Sequence, residues 1–300
     1  MANKLLKKKV IIPAWNIIKN DIQVKKFYLI PWLLSTIFLT VLLVYQTIYT
    51  YVILFNKKEE ALVVILNFFH SDYLFEIIVF WVIFIIVYII LTPIFEWWLI
   101  KYIQAKNENI EMSSSEALWE WLYNFLPLFE YNNLFSEFKV ISILNSYLFT
   151  IRFIWLEYIN VINYLFVILL FVWIFLNILF SYSKYAIILD NKKVFESIWV
   201  SSRITILNIK RTVKLYFFIL FLNLRVIFNF VIFLSFPIII VITLWLITSK
   251  IFLMVAITIL SILFISFILI LSYLTAVLEV FKTSIWYYAY IEWKTKLEGK

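Results

Sequence analysis

Long apolar runs alternate with short charged segments along this chain. Runs at 28–55, 73–101, 138–159, 161–181, 213–236 and 251–280 each hold about 20 residues or more, the length an α-helix needs to cross a ~30 Å hydrocarbon core. Arg152 and Glu157 interrupt the third run; the first carries no charge at all. The region after Lys214 stays apolar to Ser249, about 52 Å as one helix, so Pro237 is read as a break that ends the fifth span near Phe236. Three segments show apolar residues at helical spacing beside charge: 13–24 with Trp15, Ile18 and Ile22; 115–126 with Leu118, Trp119, Leu122 and Phe125; and 192–211. Such segments predict amphipathic helices lying on the membrane surface. The pattern predicts an all-α, polytopic membrane protein: about six transmembrane helices plus cytoplasmic interfacial helices, with 1–300 as a single integral membrane domain.

Composition strengthens this reading and removes chemistry. Hydrophobic residues make up 65% of the 300, with a mean hydropathy of +0.99, against about 45–50% apolar residues in soluble domains. There is no cysteine, one histidine (His70) and one glycine (Gly299). Disulfides, Cys-ligated metals and His-pair metal sites are therefore absent, as are the glycine-dependent phosphate loops and nucleophile elbows. No catalytic, cofactor-binding or metal-binding residues are predicted, and the chain is read as no enzyme.

The net charge of +8 has a topological meaning. Seven lysines against one aspartate precede the first span, and seven basic residues against two acidic ones fill 182–214. The excess of Lys and Arg puts both termini and 182–214 in the cytoplasm of a multi-pass cell-membrane protein. The expected partners are the lipid bilayer, anionic headgroups at the cytoplasmic face and a membrane protein partner, with no nucleic acid.

Within 192–211, helical spacing separates three faces. Lys192, Lys193, Glu196, Arg203, Lys210 and Arg211 form a charged one; Phe195, Ile198, Ile206 and Ile209 an apolar one; Ser197, Ser201, Thr205 and Asn208 a hydroxyl and amide stripe. Two uses of that stripe are open. It packs helices, or, with Arg203, it contacts a lipid headgroup, substrate or partner. Arg225 also carries two readings. At the midplane a charge costs at least ~2.5 kcal/mol and requires a partner, with Asn223 and Asn229 near in sequence; a span that starts later leaves it snorkelling at the interface.

The stretch YAIILDNKKVFESIWVSSRITILNIKRTVKLYFFILFL, from Tyr185 to Leu222, resembles a bacterial membrane-domain family: the integral membrane domain attached to some glycerophosphodiester phosphodiesterases, together with its stand-alone relatives. The resemblance rests on the acidic turn Leu189-Asp190-Asn191, the following helix with Ser201, Ser202 and Arg203, and the long span after it. Ala14 to Asn20 and the aromatic-basic stretch from Thr283 to Lys294 fit it too. The family's usual glycines are missing. The resemblance implies a six-helix membrane domain without the phosphodiesterase, which needs paired histidines, metal-binding acids and a separate barrel. The expected function is non-enzymatic: membrane organisation, lipid interaction or partner anchoring. The alternative is a transporter or channel with a polar pathway near Arg225.

Overall fold

The computed structural model describes residues 6–54, 56–110, 125–134, 140–153, 158–224 and 250–299. Every regular element among the described residues is a helix, with no strand. A π-helical turn at Lys7–Ile11 leads into α1 (Ile12–Asn20); α2 (Ile22–Phe27), α3 (Leu29–Leu54), α4 (Lys58–Phe69) and α5 (Leu74–Glu108) follow. Then come α6 (125–134), α7 (Val140–Phe153), α8 (Ile159–Leu179), α9 (Ser183–Asp190), α10 (Val194–Leu207), α11 (209–224) and α12 (Lys250–Glu298). Among the described residues, three helical stretches, Leu74–Glu108, Ile159–Asp190 and Ile262–Leu297, are long and apolar enough to cross a membrane. Along α5, Ile78, Phe80, Ile83, Ile86 and Ile89 all face outward. A surface that apolar is suited to lipid rather than water, so the fold is that of an all-α membrane protein.

The chain divides into two compact units. One comprises Met1–Asp21, Glu96–Arg225 and Glu279–Lys300; the other comprises Ile22–Phe95 and Val226–Leu278. In the second unit, Phe38 of α3 stacks on Tyr88 of α5 with ring centroids 5.9 Å apart. Its helix hydroxyls turn back on their own backbone: Thr36 donates to the Trp32 carbonyl, Thr40 to that of Thr36 and Thr92 to that of Tyr88. A hydroxyl satisfied this way sits in an apolar helix without an orphaned polar group.

Among the described residues, most of the buried side chains belong to the first unit. Trp97, Leu99, Ile100 and Ile103 of α5 bury there, as do Tyr182, Tyr185, Ile187 and Ile188 of α9. The C-terminal end of α12 contributes Ile285, Tyr287, Tyr290 and Trp293. The N-terminal helix docks through Val10, Ala14 and Ile18, all buried. Lys9 Nζ lies 2.9 Å from a Glu292 carboxylate oxygen, Trp15 meets Phe281 edge-on, and Tyr102 donates its hydroxyl to Asp21.

Several expected boundaries move. The helix expected over 13–24 breaks at Asp21, whose backbone is extended, and its buried stripe is Val10-Ala14-Ile18 while Trp15 and Ile22 stay exposed. The second run continues helically to Glu108, through Pro93. The single helix expected over 192–211 stops at Leu207; Asn208 leaves helical geometry and α11 begins anew. The helix of the last run continues past 280, α12 running on to Glu298, ~74 Å at 1.5 Å per residue. Burial of its aromatic end in the first unit keeps that extension folded. Of the helix expected over 115–126, all but Phe125 and Leu126 lies outside the described residues, as do 138–139 and 154–157 of the third run and 225–236 of the fifth.

With no internal glycine, the chain turns helix ends with asparagine. Asn56, Asn109 and Asn191 all take left-handed backbone conformations. After the first two, the Lys57 N–H bonds to the Val52 carbonyl and the Ile110 N–H to that of Ala105, the six-residue closure of a Schellman cap. Asparagine is the non-glycine residue that tolerates this region best. Asn191→Val is expected to cost about 1–2 kcal/mol of stability and Asn191→Gly close to nothing, read from unfolding of the purified protein in detergent.

Candidate functional site

The first unit is organised around the C-terminal end of α8. A helix ends with carbonyls that have no partner of their own, and side chains bond all four here. Ser181 Oγ donates to the Asn177 and Ile178 carbonyls at 2.8 Å. Ser201 Oγ donates to Leu179 O at 2.7 Å and Thr205 Oγ1 reaches Ile178 O and Leu179 O at 3.3 Å. The Tyr131 hydroxyl takes Phe180 O at 3.1 Å; burial pushes that phenol above the ordinary tyrosine range, which keeps it a neutral donor. Ser201 Oγ also accepts the Tyr182 N–H at 3.0 Å, joining the end of α8 to the start of α9.

This decides the use of the hydroxyl stripe on α10. Ser197, Ser201 and Thr205 are fully buried. Ser197 bonds the Val194 carbonyl of its own helix, while Ser201 and Thr205 lock α10 onto α8. Of the two uses open for Ser197 and Ser201, packing accounts for both hydroxyls, which are bonded to buried backbone groups. The outward face carries Phe195, Trp199 and Ile206, 80%, 72% and 63% exposed, beside the exposed Arg203. Arg203, Lys192 and Lys294 line one recess with Trp199 and Asp190. In it the Asp190 carboxylate is engaged by Lys294 Nζ at 2.7 Å and by the Tyr290 hydroxyl.

A second recess opens among α5, α6, α8, α9, α11 and α12, with a volume of about 500 Å³. Four charged side chains line it: Glu96, Lys184, Glu279 and Lys282. Each is only 17–23% exposed. Lys282 pairs closely with Glu279 one turn away. Glu96 is held differently: Asn132 Nδ2 donates to one oxygen at 3.1 Å, and Lys184 Nζ stands 4.0 Å from the other, beyond hydrogen-bond length. Trp173 faces the same recess, and its indole N–H is buried without a hydrogen-bond partner. Among the described residues, no group of three His, Asp or Glu side chains is placed to hold a metal ion.

Of the expected site residues, the structure brings Asn223 alone to this recess; Arg225 and Asn229 lie outside the described residues. By sequence, Glu96 with Trp97, Trp98 and Lys101 reads as an interfacial belt, and Glu279 with Lys282 as an ordinary i,i+3 helix pair. The usable signal was the recurrence of one charge near the end of each of three apolar runs, at Glu96, Lys184 and Glu279. No family model matches the chain, and neither a curated protein nor a solved structure matches it.

Proposed function

We propose that the protein is a non-enzymatic, multi-pass protein of the cell membrane that organises or anchors at the cytoplasmic leaflet through anionic lipid, with six spans and both termini in the cytoplasm. The observation that carries this reading is the outer face of α10. Phe195, Trp199 and Ile206 stand exposed on a helix whose opposite face is locked to the protein, so the helix is held rigidly with its aromatic side outward. Aromatic and aliphatic side chains beside basic ones suit the boundary between headgroups and acyl chains. Arg203, Lys192 and Lys294 border the recess next to Trp199, and basic side chains at that depth attract phosphate. The resemblance of 185–222 to a membrane-domain family supports the same reading, as does the Lys and Arg excess of 1–27 and 182–214.

Arg203→Ala is expected to lower retention of phosphatidylglycerol by about fivefold, from about 1 kcal/mol per basic residue at the surface. Native mass spectrometry of the purified protein against a lipid series measures it. Unchanged retention in the Arg203→Ala, Lys192→Ala double variant refutes the reading. The transporter or channel reading has one observation in its favour: Asn223, expected beside a polar pathway, lines the charged recess.

A further inference from the structure

We infer that the charged recess of the first unit is a binding site for a zwitterion that carries a primary ammonium and a phosphate or carboxylate, the chemistry of a phosphatidylethanolamine headgroup or of a free molecule of the same kind. The inference does not rest on the anionic-lipid reading, which uses the outer face of α10, a helix that does not line this recess. Its volume of about 500 Å³ lies in the range of small-molecule sites, about 300–1,000 Å³. Its charges balance, two lysines against two glutamates, so a ligand with a single unpaired charge would leave one wall uncompensated. Burying a charge without a partner is costly, and a zwitterion meets both signs at once.

The geometry also assigns the ends. Lys282 and Glu279 already neutralise each other. Glu96 and Lys184 do not close: 4.0 Å separates them, and Asn132 fixes the carboxylate through its second oxygen. Glu96 is thus presented to an ammonium and Lys184 to an anionic oxygen. Trp173 lines the recess, and its buried indole N–H has no hydrogen-bond partner; a phosphate or carboxylate oxygen would supply the acceptor. A buried donor left without an acceptor is rare in folded proteins. Lys184, Glu96 and Trp173 come from α9, α5 and α8, so the site exists only when these helices are packed.

The test uses the full chain purified in detergent, with native mass spectrometry for retained lipid and calorimetry for free O-phosphoethanolamine. Phosphatidylethanolamine is expected to be retained about tenfold better than phosphatidylcholine, whose methylated nitrogen donates no hydrogen bond to Glu96, since a charged hydrogen bond is worth about one decade or more. Glu96→Gln, which keeps the Asn132 contact, should remove that preference, and Trp173→Phe should weaken retention about tenfold or more, since the bond it removes is to an anionic oxygen. Arg203→Ala should leave it unchanged, separating this site from the anionic-lipid face. Binding of O-phosphoethanolamine that is lost in Glu96→Gln identifies a free zwitterion as the ligand; lipid preference without it identifies the headgroup. Equal retention of the two lipids together with no binding of O-phosphoethanolamine overturns the inference. So does a Glu96→Gln protein that behaves as wild type, or, where that variant does not fold, a Trp173→Phe protein that does.

Discussion

Trp293→Ala is expected to destabilise the protein by about 3–5 kcal/mol, enough to remove the folded fraction of a marginally stable domain. Trp293 is 1% exposed and lies 13 residues beyond 280, where the last membrane run was expected to stop. Its indole meets Tyr182 edge-on at 5.4 Å. Tyr182 in turn touches Trp286 at 5.3 Å and Tyr290 at 6.3 Å. Truncating Trp293 opens a cavity under the first turn of α9, and the neighbours are too large and too constrained to fill it. The loss should appear as an early unfolding transition in fluorescence-detected size exclusion after heating. A Trp199→Ala control, removing an exposed ring, should leave that transition in place. Equal behaviour of the two variants would contradict the buried role of the C-terminal end of α12.

The same residue shows where sequence reading stops. Apolar runs of sufficient length give the helices directly, since a membrane leaves the backbone few alternatives to helix. They do not say where a helix ends when its amphipathic continuation packs against protein. Phe281 to Lys300 reads as a basic-aromatic tail by composition, yet Ile285, Ala289 and Trp293 are buried at i, i+4 and i+8. That spacing was present in the sequence. What was missing was a reason to treat Trp and Tyr as core instead of interface, because both residue types serve either purpose. The break at Asn208 is a similar case. Its side chain bonds the Ile204 carbonyl at 3.2 Å, a local competition with the helix that asparagine offers but does not always win.

The charged recess was least legible. Glu96, Lys184 and Glu279 lie about 90 residues apart in sequence. Each in isolation is an ordinary charge at the end of an apolar run. Only packing of α5, α9 and α12 puts them around one volume, and no period within a single helix carries that information. The hydroxyl stripe on α10 was visible as a stripe. Its direction was not, because a helix with apolar residues on one side and lysines on another leaves the third side unassigned.

Ser201→Ala tests that third side and should cost about 2–3 kcal/mol. Ser201 Oγ is the acceptor for the Tyr182 N–H and a donor to the Leu179 carbonyl. Without it the carbonyl keeps a longer bond from Thr205 at 3.3 Å, whereas the amide loses its acceptor in a site with no exposure. A buried group left unsatisfied costs about 1–3 kcal/mol, and the lost bond itself adds to this. Ser197→Ala provides the comparison. Its hydroxyl bonds a carbonyl of its own helix, so its removal frees no group between helices and should cost under about 1 kcal/mol. Thermal unfolding in detergent ranks the two. Hydrogen exchange locates the effect, with the Tyr182 amide losing protection in Ser201→Ala and keeping it in Ser197→Ala. A stripe that contacted lipid would instead give two small, similar losses that depend on the detergent or lipid supplied.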